Sequence, residues 1–169
     1  MAELKGSKTE KNLLEAFAGE SQANRKYLAF ADKAETEGHK QVAKLFRAAA
    51  AAETVHAHAH LRVLGGIKST KENLHEAING ETHEFTSMYP QMIEEASSEG
   101  FNPALRSFSF ANTVEKVHAD LYQKAIDNLG KNQAVDYYVC KVCGNTVEGE
   151  PHGPCPVCQA GPVAFFKVD

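Results

Sequence analysis

Glu53-Thr54-Val55-His56 recurs 62 residues later as Glu115-Lys116-Val117-His118. A Gly-Glu pair precedes each copy. It stands in Ala16-Phe17-Ala18-Gly19-Glu20-Ser21 and again, 61 residues on, in Ala77-Ile78-Asn79-Gly80-Glu81-Thr82. Glu37-Gly38 and Phe46 return as Glu99-Gly100 and Phe108 at the 62-residue offset. A single one-residue shift aligns the two halves, so the region is an internal duplication. Residues at i and i+3 share a helix face, so each Glu-x-x-His aims a carboxylate and an imidazole in one direction. One such motif on a helix is usually a surface accident. Two in register, each with its own upstream Glu, form the ligand pattern of a di-iron or di-manganese carboxylate site in a four-helix bundle. Glu20, Glu53, Glu81 and Glu115 supply oxygens, and His56 and His118 cap one metal each.

The surrounding texture is helical. From about residue 9 to 129 the only prolines are Pro90 and Pro103, and Ala, Leu, Glu, Lys and Gln are frequent. Breaks near Gly38, Gly65-Gly66, Gly100 and Gly130 leave segments of about 9–37, 39–64, 70–99 and 103–130. The spacing predicts an antiparallel four-helix bundle built as two related helix pairs. Ser69-Thr70 reads as an N-cap, Pro103 as a first-turn proline, and Pro90 predicts a kink. Leu13, Ala16, Phe17, Ala23 and Tyr27 share a face with Glu20, which places Glu20 on a buried stripe. Carboxylates buried together need cations to neutralise them. Glu84, at i+3 from Glu81, has only Ala23 opposite it in the first half, so it reads as an extra ligand near one metal. Tyr27 and Tyr89 are near-symmetric and read either as partners for the carboxylates or bound oxygen species or as tyrosines packed in the core. His58 and His60 read as facing solvent or a partner. His39, His75, His83 and His152 have no matching ligand context.

All four cysteines lie between residues 140 and 158. Cys140-Lys141-Val142-Cys143 and Cys155-Pro156-Val157-Cys158 make two CxxC knuckles separated by eleven residues. Such knuckles place four thiolates around one Zn or Fe, and the ligand set alone does not choose between them. Residues 136–139 and 163–168 are short β-type runs. Five Gly and Pro residues fall between Gly149 and Pro156, so this segment is too poor in apolar residues to hold a core without a metal. The expected division is 1–133 for the helical bundle and 134–169 for the cysteine module, with a hinge at 130–134.

Net charge of -4 at pH 7 and the lack of a long Lys/Arg cluster argue against nucleic acid as a partner. The longest apolar run is Ala48–Ala52, which excludes a membrane-spanning helix. The polar start Met1-Ala2-Glu3-Leu4-Lys5-Gly6 carries no signal-peptide pattern, so a cytoplasmic location is expected. In that compartment the cysteines point to a metal rather than to disulfides.

These motifs, with Met88-Tyr89-Pro90 after Glu84 and Gly144 after Cys143, resemble the rubrerythrins over nearly the whole chain. The resemblance implies a ferritin-like di-iron bundle followed by a rubredoxin-like domain. It implies a non-haem peroxidase that reduces hydrogen peroxide to water in oxidative-stress defence. The implied iron ligands are Glu20, Glu53, His56, Glu81, Glu84, Glu115 and His118, with Glu84 and His56 exchanging at one iron between oxidation states. Tyr27 and Tyr89 match tyrosines near the irons. Cys140, Cys143, Cys155 and Cys158 hold one further iron, a set that zinc can fill in isolated protein. Electrons come from an NAD(P)H-dependent reductase or a rubredoxin. A homodimer is implied, with the rubredoxin-like domain of one subunit feeding the di-iron site of the other. A ferroxidase or iron-handling protein is the alternative; it would prefer oxygen to peroxide. Against free-standing rubredoxins the chain departs in its short gap between knuckles and in Gln159, which stands where Gly is common.

Overall fold

The computed structural model describes residues 3–168. The chain is mainly α: four long helical segments come first, and a small three-stranded module follows. Met1 and Ala2 of the polar N-terminal stretch lie outside the described residues. Contacts divide the chain into two compact units, one ending at Lys68 and one beginning at Ser69.

The first unit is a helix pair, α1 (Lys8–Thr36) and α2 (Lys40–Val63). Ser7 caps α1 by accepting the Glu10 N–H at 3.0 Å. Its buried seam consists of small residues: Ala31 and Ala34 on α1, and Ala43, Ala50 and Ala57 on α2. Alanine lets the two backbones approach closely, so the larger residues sit beside the seam rather than in it. The stripe predicted to be buried (Leu13, Ala16, Phe17, Glu20, Ala23 and Tyr27) is accordingly half-buried. Asn24 is the polar exception in the seam. Its amide donates to the Ala50 carbonyl at 2.7 Å and to Thr54 Oγ1 at 2.8 Å, pinning α1 to α2 one residue from Glu53.

The second unit opens with α3 (Thr70–His83), a π-helical turn (Glu84–Met88) and α4 (Tyr89–Ser98), followed by α5 (Asn102–Asp127). Ser69 makes the expected N-cap, as half of a reciprocal capping box with Glu72. Pro103 falls in the first turn of α5. The disturbance expected at Pro90 takes the form of the π turn just before it, where the Tyr89 N–H reaches back five residues to the Glu84 carbonyl. A π turn holds one more residue than an α turn. It lies where the repeat offset changes from 61 (Glu20/Glu81) to 62 (Tyr27/Tyr89), which gives the one-residue shift a structural cause.

The duplication is visible in the helix ends too. Gly38 and Gly100 close α1 and α4 with φ of 83° and 76°, a backbone region that glycine enters without strain. Beyond them the His39 N–H bonds Ala34 O at 2.8 Å, and the Phe101 N–H bonds Ala96 O at 2.9 Å.

The module is an antiparallel sheet in the order β2-β1-β3, with β1 Tyr137–Cys140, β2 Thr146–Glu148 and β3 Phe165–Val168. Sequence reading anticipates β1 and β3. It misses β2, which has three residues and no alternation to read. Helix gives way to sheet between Asp127 and Tyr137, so the composition boundary at 133–134 falls inside the second unit.

Candidate metal centres

Each unit carries one Glu/Glu/His cluster. In the first, His56 Nδ1 lies 2.9 Å from Glu53 Oε2 and 3.8 Å from Glu20 Oε1. In the second, His118 Nδ1 lies 2.8 Å from Glu115 Oε2 and 3.9 Å from Glu81 Oε1. In each cluster the ligand-type atoms all fall within 4.8 Å of one another. The two clusters match to 0.1 Å in both distances, as the duplication requires. The donor set suits a metal. Two carboxylates and an imidazole offer hard oxygens and a borderline nitrogen, the mixture that iron and manganese accept.

The clusters differ in surroundings. The His56 side chain is 55% exposed, and that of His118 is 27% exposed. His118 is held from both sides, because its Nε2 lies 3.0 Å from Thr146 Oγ1 on β2. No described residue holds the Nε2 of His56 in this way.

Electrostatics mark the second cluster as strained without a cation. Burial, and then the Glu115 charge, push the Glu81 carboxyl up to about 7, with His118 opposing. Glu84 lies outside the three-residue cluster, yet burial and the charge of Glu115 raise its carboxyl as well. Glu84 is the first residue of the π turn. The Tyr89 hydroxyl is raised by burial and then by the charges of Glu84, Glu115 and Glu81, which places it in the field of this cluster. Tyr122 behaves alike, through burial and the charges of Glu81 and Glu115. Sequence reading passed over Tyr122, although it stands four residues beyond His118 and seven beyond Glu115, on their face. Tyr27 packs against Phe46 at 6.1 Å between ring centroids, and Tyr89 packs against Phe108 at 6.3 Å, another pair of duplicated contacts.

The four cysteines converge. Cys140 Sγ is 3.7 Å from Cys158 Sγ, and Cys143 Sγ is 3.5 Å from Cys155 Sγ. Metal–sulfur bonds of about 2.3 Å in a tetrahedron put sulfurs about 3.8 Å apart, whereas a disulfide needs about 2.0 Å. The donor geometry fits one tetrahedral metal. Burial pushes the Cys143 thiol up, with the Asn145 N–H opposing. Burial also opposes ionisation of Cys155, but N–H bonds from Cys158 and Val157 leave it lowered overall. The knuckles are copies of one turn. The Gly144 N–H meets Cys140 O at 2.8 Å, and the Gln159 N–H meets Cys155 O at 2.9 Å. Their φ values are 81° and 64°, so Gln159 occupies a left-handed position that Gly144 fills freely.

The module rests on α5 within the second unit. Val114 is buried, and its Cγ1 lies 3.9 Å from the point where a Cβ on Gly144 would stand. Lys124 pairs with Glu148. A cavity of about 330 Å³ lined by His118, Leu121, Tyr122, Ala125, Tyr137 and Thr146 lies along this contact. No described helix is long and apolar enough to cross a membrane.

The rubrerythrin family profile matches residues 11–126. Rubrerythrin-2 of Clostridium acetobutylicum is 35% identical, over 92% of this chain and 94% of its own. A rubrerythrin of Porphyromonas gingivalis is 36% identical, over 97% of this chain and 91% of its own. A solved nigerythrin in its fully reduced, all-ferrous state superposes with a TM-score of 0.59 at 32% identity, covering 96% of this chain and 87% of that one. By this profile and these relatives, the chain belongs to the rubrerythrin family, whose members are di-iron oxidative-stress proteins with peroxidase activity.

Proposed function

We propose that this chain is a cytoplasmic peroxidase that reduces hydrogen peroxide to water. The observation that carries the reading is the pair of matched Glu/Glu/His clusters on a chain that also gathers four cysteine sulfurs. In this reading Glu20, Glu53, His56, Glu81, Glu84, Glu115 and His118 hold two irons, and Cys140, Cys143, Cys155 and Cys158 hold a third. When bound, the iron pair supplies the two electrons that peroxide reduction needs, and the four-cysteine iron passes electrons singly. The bundle of residues 1–133 is the catalytic domain, and residues 134–169 are the electron-entry domain. An NAD(P)H-dependent reductase or a rubredoxin is the donor, and the working form is a homodimer.

The protein's own residues do the rest. The carboxylates balance the charge of the cations, and the cations relieve the mutual repulsion that raises Glu81 and Glu84. Glu84 and His56 would be the residues that exchange at one metal. The exposed His56 ring, with no described partner on its Nε2, is free to leave, whereas His118 is held from two sides. The Tyr89 hydroxyl keeps its proton in the field of three carboxylates. Tyr27 is its counterpart in the first half.

The test is Glu84→Ala in iron-loaded protein. Peroxide turnover is expected to fall by at least about tenfold, with the visible band of the four-cysteine iron intact. Unchanged turnover would remove Glu84 from the ligand set.

A further inference from the structure

We propose that Thr146 of the cysteine module is a positioning residue for the di-metal site, holding His118 through its Nε2. The inference rests on reading His118 as a metal ligand. It adds a residue that neither the Glu/His repeat nor the CxxC spacing contains.

The argument starts from donors and acceptors. Thr146 Oγ1 lies 3.2 Å from the Gly144 carbonyl oxygen and 3.0 Å from His118 Nε2. A metal on Nδ1 leaves the ring proton on Nε2, and a carbonyl only accepts, so in that state the single hydroxyl proton of Thr146 goes to Gly144. The hydroxyl oxygen then accepts from His118 Nε2–H. With Nε2 committed as a donor, Nδ1 is the nitrogen left to face Glu115 Oε2 at 2.8 Å and Glu81 Oε1 at 3.9 Å. Without a cation Nδ1–H donates to the Glu115 carboxylate; a cation that replaces that proton finds Nδ1 already aimed at it. A metal-binding histidine generally donates its other N–H to a neighbour that sets tautomer and ring angle. Here the neighbour comes from another structural element. The chain of bonds continues from Gly144, whose N–H meets the Cys140 carbonyl at 2.8 Å, into the first cysteine knuckle. The imidazole of one metal centre is thereby tied to the backbone of the other within a single chain. Val114 against Gly144 and Lys124 with Glu148 hold the module in register along α5. The contact is specific to the second half, since the Nε2 of His56 has no described counterpart. Seating of the module and readiness of the His118 cluster are therefore coupled.

Full-length chain loaded with zinc at every site tests this without turnover. Two readouts are needed: the solvent-exchange rate of the His118 Nε2–H proton by NMR, and zinc affinity of the carboxylate clusters by chelator competition. In Thr146→Val the shape and the strand preference of residue 146 are kept and the oxygen is lost. We expect faster exchange of that proton and affinity weakened by about 10- to 100-fold. Thr146→Ser keeps the oxygen and should restore both. Wild-type exchange and affinity in Thr146→Val would overturn the proposal, as would failure of Thr146→Ser to rescue. His118→Ala separates the two claims. Zinc affinity unaffected by His118→Ala would sink the ligand reading itself. Weakened affinity there, with Thr146→Val at wild-type values, would sink only the role of Thr146.

Discussion

At the residue scale, the second carboxylate cluster is the most consequential feature, because burial and mutual repulsion outweigh the imidazoles beside it. Glu81 is pushed up to about 7 from an ordinary value of 4.5, by burial first and Glu115 second, and Glu84 moves the same way. A carboxyl whose folded value lies above its unfolded value penalises the folded state once it ionises. That penalty is full above pH 7 and gone below about pH 4.5. Chelated, metal-free protein should therefore become more stable as pH falls from 7.5 toward 5, seen as a rising urea midpoint. With iron bound the trend should reverse, since protons then compete with the metal for the same oxygens. A metal-free midpoint that falls over this range would contradict the account of Glu81. The two Glu/Glu/His clusters were legible in the sequence, because duplication made chance a poor explanation for Glu-x-x-His. Thr146 was not. It belongs to a three-residue strand in a different module, and no spacing rule connects it to His118.

At the scale of elements, the duplication explains more than the ligands. The one-residue change of offset between Glu81 and Tyr89 is a π turn, and Glu84 begins it. The sequence shows the shift plainly but not its form; a kink at Pro90 is the simpler expectation from a missing N–H. The glycine helix ends and the Tyr–Phe contacts recur because the same residues recur. The half-burial of the Glu20 stripe was not legible. Periodicity shows which residues share a face, but the alanine seam beside that face decides which line of residues is fully covered. The knuckles are a second internal copy, and they differ at one position. Gln159 holds φ of 64° where its counterpart Gly144 holds 81°. A non-glycine residue there costs about 1–2 kcal/mol, partly offset by the entropy a glycine loses on folding. Gln159→Gly should therefore stabilise the module by up to about 1 kcal/mol. The check is the temperature at which the visible band of the four-cysteine iron is lost in the full chain. A lower temperature would show that the Gln159 contact with the Pro156 carbonyl matters more than the strain.

At the scale of the whole molecule, the chain brings two kinds of metal chemistry together. Hard carboxylate and imidazole donors repeat through the helical part, and soft thiolates gather in the module after it. The order of the two parts was readable from composition, since residues 1–139 contain no cysteine and residues 140–158 contain all four, whereas the carboxylate and imidazole donors needed the repeat. Within the second unit, α5 bears both the His118 cluster and the surface on which the module rests, a placement no linear pattern announces. A storage protein has no use for a four-cysteine centre, and a purely structural zinc module has no use for two repeated Glu/Glu/His clusters. Electron delivery to a peroxide-reducing site, the function proposed above, would use both.

The most direct test of that claim is anaerobic. Reduced, iron-loaded protein is mixed rapidly with hydrogen peroxide or with oxygen, and the visible band of the thiolate-bound iron is followed in time. The account predicts fast return of the band with peroxide and slow return with oxygen. Faster return with oxygen would contradict it and favour an iron-oxidising role.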